Sequence, residues 1–233
     1  MYKVVLFDLD GTLLHMDQDE FTRTYIALLM KRMLSLGGDK NLLGKGFNDG
    51  LRAMLMNDGT RSNAQAYWDS FGKALGSDAS AYINNTNEFY SEEYLSLKEI
   101  TRENPYADAL ISGLKERGCK LVLATNPVFP LIAQVNRLSW SGTTHEKFDY
   151  ITDYETSRYC KPRPEYYLDI CERMGVKPCE CLMVGNDTSD DMLGASAAGL
   201  NCFLVTDCLI ETPDTAWQGE RGTFAQLTAK LLG

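Results

Sequence analysis

Four short apolar runs, each stopping at a knot of polar residues, constrain this chain more than any other feature. Val4-Val5-Leu6-Phe7 runs into Asp8-Leu9-Asp10-Gly11-Thr12, and residues 119–124 (CKLVLA) run into Thr125-Asn126-Pro127. Cys181-Leu182-Met183-Val184 stops at Gly185-Asn186-Asp187, and Cys202-Phe203-Leu204-Val205 stops at Thr206-Asp207. The runs are continuous rather than alternating, which is the pattern of strands buried on both faces, as in a parallel sheet. The first of them spans Met1 to Phe7. Amphipathic stretches separate the runs and end on glycine: Ala107 to Arg117 at Gly118, Pro164 to Met174 at Gly175, and Asp191 to Ala198 at Gly199. Glycine in that position is a helix stop. Strand alternating with helix predicts an α/β fold with a parallel sheet, and ligands of such sheets bind at the carboxyl ends of the strands.

The stretch from Asp17 to Lys98 departs from this alternation. It is rich in Leu, Met, Ala and Tyr and poor in β-branched runs, and it breaks at Gly37-Gly38, Asn57-Asp58-Gly59 and Gly76-Ser77. Helices are expected near 18–36, 41–57, 62–75 and 78–97. The predicted organisation is a core of 1–16 and 99–233, with a helical cap over 17–98 inserted after the first strand. Tyr25, Phe47, Tyr67, Trp68 and Phe71 are expected to pack within that cap, while the tail from Glu211 reads as a loop and a closing helix with Trp217 and Phe224 against the sheet.

A net charge of −9 opposes a polyanionic partner such as nucleic acid. No apolar run approaches the roughly 20 residues of a membrane span. Seven cysteines, an odd number lying mostly within apolar segments, read as free thiols of a reducing compartment, so the expected location is cytoplasmic. Cys179 and Cys181 are too close for a metal pair, and His15 and His145 are the only histidines. Neither histidine receives a catalytic role.

Asp8 and Asp10 stand two apart at the end of a buried strand. Carboxylates so placed repel unless a cation or a shared proton intervenes, and hard oxygen donors suit a divalent ion such as magnesium. Gly11 allows the tight backbone that follows, and Thr12 offers a hydroxyl there. Thr125 and Asn126 close the second run, and Lys161 sits in Lys161-Pro162-Arg163-Pro164, with Pro164 placed to start a helix. Asp187, Asp190 and Asp191 follow the third run.

The segment Phe7-Asp8-Leu9-Asp10-Gly11-Thr12-Leu13 resembles the first signature of the haloacid dehalogenase superfamily. Thr125, Lys161-Pro162-Arg163-Pro164 and Gly185-Asn186-Asp187 with Asp191 resemble its remaining motifs, in the right order. The resemblance implies a Rossmann-like core with a helical cap and a phosphohydrolase that uses Mg2+ on a small phosphorylated metabolite. It implies Asp8 as nucleophile and Asp10 as acid/base. It further implies Gly11, Thr12, Thr125, Asn126 and Lys161 around the phosphoryl group, and a metal held by Asp8, Asp10 (through its carbonyl) and Asp187. Asp191 is assigned to that metal centre, orienting bound water or Lys161, and Asp190 to solvent or a helix cap. Relatives that cleave carbon–halogen bonds typically lack the second aspartate, so Asp10 argues for phosphate esters. A phosphosugar mutase or a non-catalytic binding protein on the same fold are the alternatives. Arg23, Lys45, Arg52 and Arg61 are cap cations that would serve either the distal part of a substrate or simply solvent.

Overall fold

The structure, a computed structural model, describes residues 2–211 and 213–233. Met1, included in the first expected strand, and Thr212, in the expected tail loop, lie outside the described residues. Strand β1 (Val4–Phe7) leads into a short β2 (Leu14–Met16), and helices α1 (Gln18–Leu34), α2 (Lys40–Leu55), α3 (Asn63–Leu75) and α4 (Ser80–Ser91) follow. A 3-10 stretch, Glu93–Ile100, returns the chain to β3 (Thr101–Glu103). The remainder alternates: α5 (Ala107–Glu116), β4 (Lys120–Leu123), α6 (Leu131–Trp140), β5 (Tyr150–Ile151), α7 (Pro164–Met174), β6 (Cys181–Gly185), α8 (Gly194–Ala197), β7 (Asn201–Val205), β8 (Arg221–Gly222) and α9 (Phe224–Leu232). A π-helical turn, Thr188–Leu193, precedes α8.

Six strands form one parallel sheet in the order β5-β4-β1-β6-β7-β8. β1 lies at its centre with all four side chains fully buried, as its unbroken apolar run requires. Side chains leave a strand alternately on opposite faces, and the core divides accordingly. Val5 and Phe7 join a cluster that continues through α5 and α9 into the helical insertion, whereas Val4 and Leu6 pack with Tyr166, Ile170 and Met183 towards α7. The insertion therefore shares a continuous apolar core with one face of the sheet. Phe224 belongs to that core, and Trp217 packs against the cluster on the other face.

Three of the inserted helices start where an N-cap side chain accepts the first free amides: Asp17 from Glu20 N, Asp39 from Asn41 N and Leu42 N, and Ser62 in a capping box with Gln65. Their bounds lie within a few residues of expectation, except that the fourth expected helix divides into α4 and the 3-10 stretch. Five of these elements are not expected from the sequence, among them the two-residue strands β5 and β8. β2 and β3 pair antiparallel over three residues each, and α6 occupies a stretch in which no helix is expected. No helix among the described residues is long and apolar enough to cross a membrane.

Candidate active site

Register brings the site together. Phe7 lies level with Leu123 on one side and Val184 on the other, so the three strands end side by side. Asp8 N donates to Val184 O and Ala124 N to Phe7 O, extending the ladders by one residue before the backbones diverge. Asp8, Asp10, Thr125, Asn126, Lys161, Asp187, Asp190 and Asp191 consequently line a single cleft of about 90 Å3, with Gln18 and Asn186. That is the crevice beyond the strand ends where open α/β sheets place their ligands.

Lys161 organises one wall. Its ammonium, fully buried, lies 2.8 Å from Asp8 Oδ1 and 2.6 Å from Asp191 Oδ1. Burial opposes its charge, but Asp191 and Asp8 outweigh that and hold it well above the ordinary lysine value. Burial pushes the Asp8 carboxyl upward against the pull of Lys161, and Asp10 adds to the push. Thr125 is buried, and its carbonyl is fixed by hydroxyls from Thr152 (2.7 Å) and Tyr166 (2.9 Å).

Asp191 stands beside Lys161, one of the two partners expected for it. Its Oδ1 is taken by Lys161, and its Oδ2 accepts from both Asn186 N and Asp187 N at 3.0 Å. Both oxygens are occupied, so Asp191 holds Lys161 and the 186–187 turn in place. Asp187 carries the cap expected of Asp190, its Oδ1 accepting from Ser189 N and Asp190 N. Asp190 instead faces the cleft, takes Asn126 Nδ2 at 3.3 Å, and is pushed up to about 6 by burial against the pull of Lys161.

The turn after β1 is also used differently. Thr12 is fully buried and donates its hydroxyl to Asn186 Oδ1, while its amide and that of Gly11 bond to Leu9 O and Leu14 O. Neither residue offers a free donor to a ligand. Gly11 matters for its backbone: φ is 83°, and a Cβ there would lie 2.3 Å from Asn186 Nδ2. The Asp10 carbonyl, expected on the metal, accepts from Gln18 Nε2 at 2.8 Å, which leaves its second lone pair.

Two residues at the site, Gln18 and Arg137, belong to no motif. Arg137, on α6 and fully buried, pairs with Asp10 Oδ2 and lies over the Phe129 ring at 4.3 Å. Only an arginine on the otherwise buried face of an amphipathic helix would have pointed to it. By contrast the four cap cations lie elsewhere. Lys45 pairs with Asp49 and Arg61 with Asp69, both at the surface, Arg52 shares an outer groove with Lys45, and Arg23 is exposed. The cation beside the cleft is Arg163, which with Leu55, Met56 and Pro162 lines a wider recess of about 620 Å3. Asn126, Lys161 and Asp190 belong to both spaces, so the recess is the mouth of the cleft.

Five carboxylates line the cleft against one lysine, with Arg137 behind. Asp10 Oδ1 and Asn126 Oδ1 are buried and without a partner. Surplus negative charge and unpaired acceptor oxygens are the surroundings of a hard cation. No group of three or more acidic, His or Cys side chains among the described residues could hold a metal by itself. Magnesium does not need one, since it is commonly held by one or two carboxylates together with water and substrate phosphate. Asp8 and Asp187 each have one carboxylate oxygen outside the bonds to Lys161 and to the Ser189 and Asp190 amides.

A family model described as haloacid dehalogenase-like hydrolase matches residues 2–199. A glyceraldehyde 3-phosphate phosphatase of Methanothermobacter thermautotrophicus is 31% identical over 112 residues, so the match spans only 48% of either chain. A phosphoglycolate phosphatase of Nitrosospira multiformis is 28% identical over 210 residues, covering 87% of this chain and 82% of the relative. Among solved structures, a 2-haloacid dehalogenase of Pseudomonas syringae pv. Tomato superposes with a TM-score of 0.65 at 20% identity, covering 99% of this chain and 98% of its own.

Proposed function

Because the chain belongs to the haloacid dehalogenase-like hydrolases, we propose that it is a Mg2+-dependent phosphomonoesterase working through a phospho-aspartate on Asp8. The observation that carries this reading is the cleft itself, in which Asp8, Asp10, Lys161 and Asp187 converge at the end of the central strand. Relatives with broad coverage named as phosphatases support the phosphate ester as substrate class. Asp10 supports it over the carbon–halogen bond, because an acid/base group is needed where an alkoxide must leave and is superfluous where a halide does.

Asp8 Oδ2, the oxygen not bonded to Lys161, attacks phosphorus in line with the departing alcohol. The P–O bond to the alcohol breaks as the Asp8–P bond forms, and Asp10 gives that oxygen its proton. Lys161, fixed between Asp8 and Asp191, stabilises charge on the phosphoryl oxygens, with Thr125 beside them. Water then attacks the acyl phosphate at phosphorus, Asp10 takes its proton, and phosphate leaves with Asp8 regenerated. Magnesium, held by Asp8 and Asp187, would neutralise the approaching dianion and the carboxylates around it. The mouth between Leu55, Met56 and Arg163 is the substrate's way into the cleft. Residues 17–98 act as the cap over this mouth, and closure would exclude bulk water from the acyl phosphate.

Phosphate release from phenyl phosphate, measured with Mg2+, with EDTA and for Asp8→Asn, tests the proposal. Turnover is expected only with metal, and the variant should lose at least about 10³-fold. Undiminished activity of Asp8→Asn would remove the nucleophile assignment. Recovery of an isomeric ester instead of free phosphate, with phosphosugars as substrate, would make the protein a mutase.

A further inference from the structure

A second cavity, about 190 Å3, lies between the helical insertion and the loops after β4 and β5, and it shares no lining residue with the acidic cleft. α1 contributes Phe21 and Tyr25 to its wall, α2 Leu51, α3 Trp68, α4 Thr86, and the loop after β4 Phe129. Native interiors contain few voids larger than a water molecule, and an apolar cavity of about 150 Å3 stays dry and accepts benzene. The space here is therefore large enough for a six-membered ring with a substituent.

The wall is not wholly apolar, and its polar atoms fall into two kinds. The Tyr25 hydroxyl meets that of Tyr90 at 2.8 Å, and Trp68 Nε1 meets the Tyr154 hydroxyl at 3.5 Å. Thr86 Oγ1, on a residue only 4% exposed, has no partner. An unpaired buried hydroxyl costs stability, and a ligand carrying one hydrogen-bonding atom would relieve it. The cavity also has a neighbour in the reaction: Arg137 stacks on Phe129 and Phe21 while pairing with Asp10.

We propose that this cavity is a binding site for a neutral, phenyl-sized apolar group that offers one hydrogen-bonding atom to Thr86. The group belongs either to a free small molecule or to the alcohol part of the ester. The latter source rests on the phosphatase reading; the site itself does not.

Benzyl alcohol is a suitable probe, followed by NMR of 13C-methyl-labelled methionine. Met33 and Met54 line the cavity, and Met183 lies in the core on the other face of the sheet. Titration should shift the Met33 and Met54 signals saturably, with a Kd on the order of 1 mM, and leave Met183 in place. Thr86→Val, which keeps the shape, should weaken binding about fivefold. Leu51→Phe, which fills the space, should abolish it, with an unchanged Met183 signal reporting an intact core. If Leu51→Phe does not fold, Thr86→Val decides alone. Absence of saturable shifts in the natural protein, or an unchanged Kd in Thr86→Val, would overturn the proposal. To separate the two sources, kcat/KM for benzyl and methyl phosphate is compared in the natural protein and Thr86→Val. A fall in the benzyl-to-methyl ratio in the variant assigns the site to the ester's alcohol, and an unchanged ratio assigns it to a free ligand. Methyl shifts without turnover of either ester would leave the site standing and count against the phosphatase reading.

Discussion

At the scale of single residues, Arg137 shows how a site depends on groups outside its motifs. Its guanidinium is buried, bonded to Asp10 and to Gln134, and stacked on Phe129, while its Nε has no partner. A buried cation so placed fixes which way the Asp10 carboxylate points. Removing one member of a buried pair leaves the other uncompensated and costs about 3 kcal/mol or more. Arg137→Met should therefore lower stability by roughly that amount in urea titration and reduce kcat about 10–100-fold, because Asp10 is no longer held in place. Arg137→Lys, which keeps the charge but not the planar fork, should recover part of both. Equal kcat in all three proteins would mean that Arg137 serves packing alone.

Among the elements, the most extensive joint within the helical insertion is between α2 and α3, and two glycines of α2 report on it oppositely. A Cβ on Gly50 would lie 2.7 Å from the Tyr67 ring, whereas one on Gly44 would meet nothing within 4 Å. Alanine is the better helix former by about 1 kcal/mol, so Gly44→Ala should raise stability by roughly 0.5–1 kcal/mol. At Gly50 the same gain is offset by overpacking, typically about 1–3 kcal/mol, and Gly50→Ala should lower the thermal midpoint. Opposite shifts in Tm are the expected result. A stabilised Gly50→Ala protein would show that α3 can move away from α2 without loss.

Across the whole molecule, the β2–β3 pair is the junction at which the helical insertion leaves and rejoins the sheet, and it holds His15 opposite Arg102. The imidazole is half-buried, with Nε2 enclosed and unpartnered. Burial lowers its pKa below 6.5, Arg102 reinforces this, and Asp207 opposes it. Between the lowered folded value and 6.5 the unfolded chain binds more protons than the folded one, so stability falls as pH drops through that window. His15→Gln should flatten the dependence of Tm on pH between about 7.5 and 5.5 relative to the natural protein. An identical slope in both would place the acid sensitivity elsewhere.

The parallel sheet, the four polar strand ends and the helical insertion are legible along the chain, because they depend on periodicity and on turn residues that act locally. So are the motif residues Asp8, Asp10, Thr125 and Lys161, which register then places in one cleft. What each polar group spends its bonds on is set by its neighbours in the fold. Asp191 is occupied by Lys161 and two amides, Thr12 by Asn186, and Asp10 by an arginine more than a hundred residues away. Hydrogen-bond partners are a property of three-dimensional neighbours, and a strand end exposes several acids of similar appearance whose roles differ by a few ångströms. Spacing along the chain cannot rank them, and neither can it reveal a cavity that exists only between packed helices and loops.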